Sequence, residues 1–169
     1  MKKAVLIIVA IILFIMPCFP WGYSIIKGCQ FSADCTDYLR LAGDANNVDV
    51  AEKHLSTAIE YIENNDLTSG YTKIIRYYPS NDFGLWYENL KTAQTQLQEM
   101  QDREYTELEE SNMLMKLRET LLNDAGSVTH PEGASMKENY TLMFWLNLLL
   151  WVPCLLIGIL LCCTASDMW

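Results

Sequence analysis

Histidine is scarce in this chain. There are two in 169 residues, His54 and His130, and neither has a cysteine or a second histidine at ligand spacing, so an ordinary zinc or copper centre is not expected. Catalytic signatures are missing too: there is no G-x-S-x-G, no H-E-x-x-H, no glycine-rich phosphate loop and no C-x-x-C, which argues against an enzyme. Positive charge is in short supply, with 12 Lys and Arg against 21 Asp and Glu and a net charge of −9. Phosphate contact needs a basic footprint, so nucleic acid is excluded as a partner. The length itself excludes folds of several hundred residues, such as a complete (β/α)₈ barrel.

Charge of either sign is absent from residues 4–26 and from residues 142–163. A helix needs roughly 20 apolar residues to cross the hydrocarbon layer, because it rises about 1.5 Å per residue and must satisfy its own backbone. Both stretches meet that length, and both are expected to span a membrane. In the first, Pro17 and Pro20 predict a kink or an irregular outer end. Lys2, Lys3 and the run that follows also resemble a signal peptide, but the residues after Met16 offer no small-residue cleavage site, which favours an uncleaved anchor. Trp21 and Tyr23 close the first stretch, and Tyr140 and Trp145 open the second, as expected of aromatic residues at a lipid boundary. The charge bias of Lys2 and Lys3 favours both termini on the cytoplasmic side of a bacterial plasma membrane, with residues 27–138 outside.

Between the apolar ends, residues 27–138 carry ten Lys and Arg against twenty Asp and Glu. Tyr38, Leu41, Ala42 and Ala45 follow helical spacing, with Asp34 or Thr36 as the expected cap. Val48, Ala51, Leu55, Ala58, Ile59 and Ile62 follow it again behind Asn47 or the preceding Asn46. Joined by a short turn, the two predict an αα-hairpin. Its second helix has a tetratricopeptide flavour, but no second copy follows and a repeat array is rejected. Residues 86–123 contain neither Gly nor Pro, which predicts one long helix of roughly 60 Å. Leu90, Ala93, Leu97 and Met100 take a/d positions, the phase slips around 103–107, and Leu108, Leu114, Leu117 and Leu121 resume it, as in a coiled coil with a stutter or a bend. The β-branched and aromatic stretch 67–79 is expected to be a packed loop. The fold expected is therefore all-α: an anchor at 1–26, an acidic helical unit at 27–123, a linker at 124–139, a second span at 140–163 and a short tail at 164–169. The stretches Leu67-Thr68-Ser69-Gly70-Tyr71-Thr72 and Asn81-Asp82-Phe83-Gly84-Leu85-Trp86-Tyr87-Glu88-Asn89-Leu90 resemble uncharacterised two-span bacterial membrane proteins, a resemblance that implies no activity.

Few residues stand out chemically. Cys29 and Cys35 are a candidate disulfide, closing a small loop worth roughly 2 kcal/mol in an oxidising compartment; the alternative is two free thiols. Cys18, Cys154, Cys162 and Cys163 belong with the apolar runs. Met113 and Met115 read as helix packing rather than a soft copper site, and Glu104, Glu107, Glu109 and Glu110 as a solvated helix face. Asp82 and Glu88 read as a helix cap or as solvated carboxylates rather than an acid–base pair. Tyr71, Tyr77, Tyr78, Trp86 and Tyr87 are candidate interface residues. Asn147, the one strongly polar side chain of the second apolar run, is expected to seek a partner on another helix.

These features favour a non-enzymatic, membrane-anchored accessory or assembly subunit that needs no cofactor or metal. Its partners are expected to be the bilayer and other membrane or envelope proteins, or itself, with no small-molecule substrate. Two alternatives stay open: a homo-oligomeric coiled-coil scaffold, and a ligand-sensing receptor subunit. The six-residue tail would oblige a sensor to signal through another protein.

Overall fold

The computed structural model describes residues 18–72 and 78–166. It is all-α, and it divides into two compact units, one of Gly28–Lys137 and the other of Met1–Lys27 with Glu138–Trp169. Six α-helices are present among the described residues: α1 Cys18–Phe31, α2 Asp37–Gly43, α3 Val48–Asn64, α4 Phe83–Gln101, α5 Glu107–Leu121 and α6 Tyr140–Ser166. The β-type contacts there are single antiparallel bridges, Tyr71 to Asp82 and Leu122 to Val128.

Helix α2 does not start at a cap. A five-residue π-helical turn, Ser32–Thr36, carries the chain from α1 into α2 without a break, so neither Asp34 nor Thr36 caps anything. The regular helix also runs through Pro20, so no irregular end appears between Cys18 and Phe31; Pro17 lies outside the described residues. After a short turn, α3 begins as its sequence predicts. Asn47 accepts a hydrogen bond from the Val50 amide at 2.8 Å, and Val48, Ala51, Leu55, Ala58, Ile59 and Ile62 are all buried. Each large side chain of such a stripe is worth about 1.5–3 kcal/mol of burial.

The expected single helix over 86–123 is two helices folded back on each other. Helix α4 stops at Gln101, and α5 restarts at Glu107 behind a capping box: Thr106 Oγ1 accepts from the Glu109 amide at 3.3 Å and Glu109 Oε2 from the Thr106 amide at 2.9 Å. The phase slip was the sign of this turn, and T-x-x-E at 106–109 its capping signature. Because α5 restarts in a new direction, the stripe does not carry across the turn. Leu117 and Leu121 are buried, Leu114 is half-buried and Leu108 is exposed at 70 %.

Helices α3 and α4 run antiparallel, and polar side chains fasten them along a constant register. Gln101 donates to Asp49 at 2.8 Å, Gln98 to Glu52 at 3.0 Å, Gln94 to Ser56 at 2.8 Å and Tyr87 to Glu63 at 2.6 Å. Beneath this ladder lies the apolar core, where Cys35, Leu39, Leu55, Ile62, Phe83, Leu97 and Leu117 are fully buried.

Of the expected linker 124–139, residues 124–137 pack as a strap onto the same unit. Asn123 Oδ1 accepts from the Ala125 and Ser127 amides, turning the chain. Trp86 Nε1 then donates to the Thr129 carbonyl at 3.0 Å, Thr72 Oγ1 to the Glu132 carbonyl, and Lys137 Nζ to the Asp66 carbonyl. Pro131 and Ala134 are buried.

In the other unit, α6 is a 27-residue helix with Pro153 inside it. Among the described residues no helix is long and apolar enough to cross a membrane. Most of the first expected span, residues 1–17, lies outside the described residues.

Candidate interaction surface

The aromatic cluster splits between two duties. Trp86 and Tyr87 are half-buried and hold the helical unit together: Trp86 packs edge-on against Phe83, with ring centroids 6.3 Å apart, and grips the strap, while Tyr87 bonds Glu63. Tyr71 and Tyr78 are exposed at 44 % and 42 %, and Tyr71 donates to Asp82 Oδ2 at 2.8 Å. Tyr77 lies outside the described residues.

Asp82 caps helix α4. Its Oδ1 accepts from the Gly84 and Leu85 amides at the start of α4 while its Oδ2 takes the Tyr71 hydroxyl. That hydroxyl, followed by the two amides, holds the carboxyl below its ordinary range. Tyr87 does the same for Glu63, assisted by Lys91 at 3.5 Å, and Thr106 for Glu109 with help from Arg103. Within the acidic group at and before the start of α5, Glu104, Glu107, Glu109 and Glu110, Glu109 completes the capping box and Glu110 Oε1 accepts from the Val48 amide at 3.1 Å. Two of the four carboxylates therefore have structural tasks, and Glu104 and Glu107 are exposed.

The expected Cys29–Cys35 bridge is not formed; both are free thiols, Cys29 exposed and Cys35 buried. They lie on one continuous helical stretch with five residues between them, an axial rise of about 9 Å that leaves their Cα atoms too far apart for a disulfide. Burial, reinforced by Asp34, pushes the Cys35 thiol up to about 12, so it behaves as a small core side chain. Met113 packs against the core and Met115 is exposed. Among the described residues no group of three or more His, Cys, Asp or Glu side chains is placed to hold a metal ion. His54 lies against the Tyr38 ring, and His130 meets Phe31 edge-on at 5.2 Å.

Asn147 donates to the Met143 carbonyl of its own helix at 2.9 Å. Its Oδ1 is buried without a hydrogen-bond partner among the described residues.

One feature had no counterpart in the sequence pattern. Between the start of α4 and the strap lies a groove of about 430 Å³, walled by Leu85, Trp86, Val128 and Pro131 with Asn89 and His130 among its polar lining. It shares Asn89 and Thr120 with a second cleft of about 180 Å³ between α4 and α5. The groove exists because the strap folds back, and the glycines and proline of 124–135 had pointed to a free linker instead.

Comparison with known proteins returns no match: no family model, no curated protein and no solved structure matches this chain.

Proposed function

We propose that this protein is a non-enzymatic, membrane-anchored accessory subunit whose acidic helical unit docks onto a larger membrane or envelope complex. The observation that carries the reading is the contrast between its parts. Residues 142–163 contain no charged residue, and residues 4–26 are equally free of charge. Residues 27–138, by contrast, hold twenty carboxylates. In this reading both apolar segments lie in the bilayer, both termini are cytoplasmic and the acidic unit is extracytoplasmic. Exposed Phe19, Trp21, Ile25 and Ile26 on α1, and Leu142, Phe144, Trp145, Leu148 and Leu149 on α6, suit a lipid surround. The fold-back of α4 and α5 takes away the long rod on which a homo-oligomeric coiled-coil scaffold would rely.

Chemical cross-linking of the full chain in its native membrane, followed by extraction in mild detergent, tests the proposal. Adducts of fixed stoichiometry with a second membrane protein are expected, and a monodisperse monomer without adducts contradicts it.

A further inference from the structure

We infer that two copies of this chain pair through Asn147 of α6, an inference that rests on the bilayer placement of α6 in the reading above. The observation behind it is an unfilled hydrogen-bond site. Asn147 Nδ2 donates to the Met143 carbonyl at 2.9 Å, while its Oδ1 is buried with no partner, the one such side-chain atom among the described residues. Leaving a buried acceptor without a donor costs more than an ordinary hydrogen bond contributes, and hydrocarbon supplies no water to fill the gap.

The other apolar run of the same chain does not fill it. Residues 4–17 consist of Ala, Val, Leu, Ile, Phe, Met and Pro alone, and none of these side chains donates a hydrogen bond. A segment that crosses a bilayer spends its backbone donors on itself. On α6 the nearest side-chain donors in sequence are the indoles of Trp145 and Trp151, and neither bonds Oδ1. The donor therefore comes from a second molecule.

What Asn147 has left over selects that molecule. A carboxamide carries two N–H donors and one acceptor oxygen; the Met143 carbonyl takes one donor, which leaves one N–H and Oδ1. That remainder is its own complement. Two copies inserted the same way hold Asn147 at the same depth, so parallel α6 helices related by a two-fold axis exchange two bonds, each Nδ2 donating to the other Oδ1. Little opposes the approach. Asn147 is half-exposed, and its neighbours Phe144, Leu148 and Leu149 are exposed. Because nothing bonds Oδ1, a second copy displaces only apolar contacts, and in a bilayer one apolar contact replaces another at almost no cost, so the hydrogen bonds decide. A lone asparagine in an apolar seam also fixes register and copy number.

The test uses the full chain carrying a donor or an acceptor fluorescent protein at its N-terminus, the two co-expressed at low density in one membrane. Energy transfer above that of an unrelated membrane protein at equal density is expected for the wild type. Asn147→Leu should weaken the pairing about tenfold, Asn147→Gln should keep most of it, and all three should remain in the pellet after alkaline carbonate. Chance-level transfer in the wild type, wild-type transfer in Asn147→Leu, or equal loss in the Leu and Gln variants overturns the inference. Chance-level transfer from a chain that stays in the pellet and still cross-links to a different membrane protein removes the pairing alone and leaves the accessory-subunit reading standing. Release of the wild type by carbonate removes both.

Discussion

At the scale of single residues, the acidic unit is held by caps and by a ladder of amides as much as by its core. Thr106→Ala removes the turn between α4 and α5 from its capping box and should cost about 1 kcal/mol, measurable by urea unfolding; an unchanged midpoint would mean that the box is ornamental. Leu55, fully buried in α3, sets the opposite extreme, and Leu55→Ala should cost about 2–5 kcal/mol in the same assay. The paired carboxylates impose a pH dependence whose sign follows from their direction. Glu63, Asp82 and Glu109 lie below their ordinary values of 4.5, 3.8 and 4.5 in the folded chain. The unfolded chain therefore binds protons first on acidification, and stability present above about pH 4.5 is lost as pH falls through the lowered values. Cys35 has the opposite sign: raised from 9.0 to about 12, it contributes stability that is complete below pH 9 and is lost as pH rises towards 12. Melting temperature should be level between about pH 5 and 9 and fall on both sides, with the acid limb shallower in Glu109→Gln.

At the scale of elements, the decisive feature is the turn at 102–106. Spin labels placed at Asn89 and Thr120 of the full chain should lie within about 20 Å, as for packed neighbouring helices, whereas one unbroken helix would hold them about 46 Å apart. Helix existence was legible in the sequence because its cause is local. The stripe from Val48 to Ile62 and the cap at Asn47 need no knowledge of the rest of the chain, and the a/d set of α4 is buried as spaced. What depends on distant partners was not legible. The phase slip announced a change at 103–107 but not its angle, since direction is decided by the contacts α5 makes afterwards, such as Glu110 with the Val48 amide. The Gln94, Gln98 and Gln101 ladder lies on a face that periodicity treats as solvated. The strap reads as a linker until Trp86 and Thr72 are seen to donate hydrogen bonds to its carbonyls, so the groove it creates had no signal in the residue pattern.

At the scale of the whole molecule, the proposal rests on two charge-free segments and one acidic unit acting as a single membrane-held subunit. Alkaline carbonate should leave the full chain in the membrane pellet, and truncation before residue 140 should weaken that retention. The most direct measurement is native mass spectrometry of the full chain purified in mild detergent. The account predicts one heavier species in which the 19.4 kDa chain is joined at fixed stoichiometry to a different membrane protein. A spectrum containing only the 19.4 kDa monomer would contradict it.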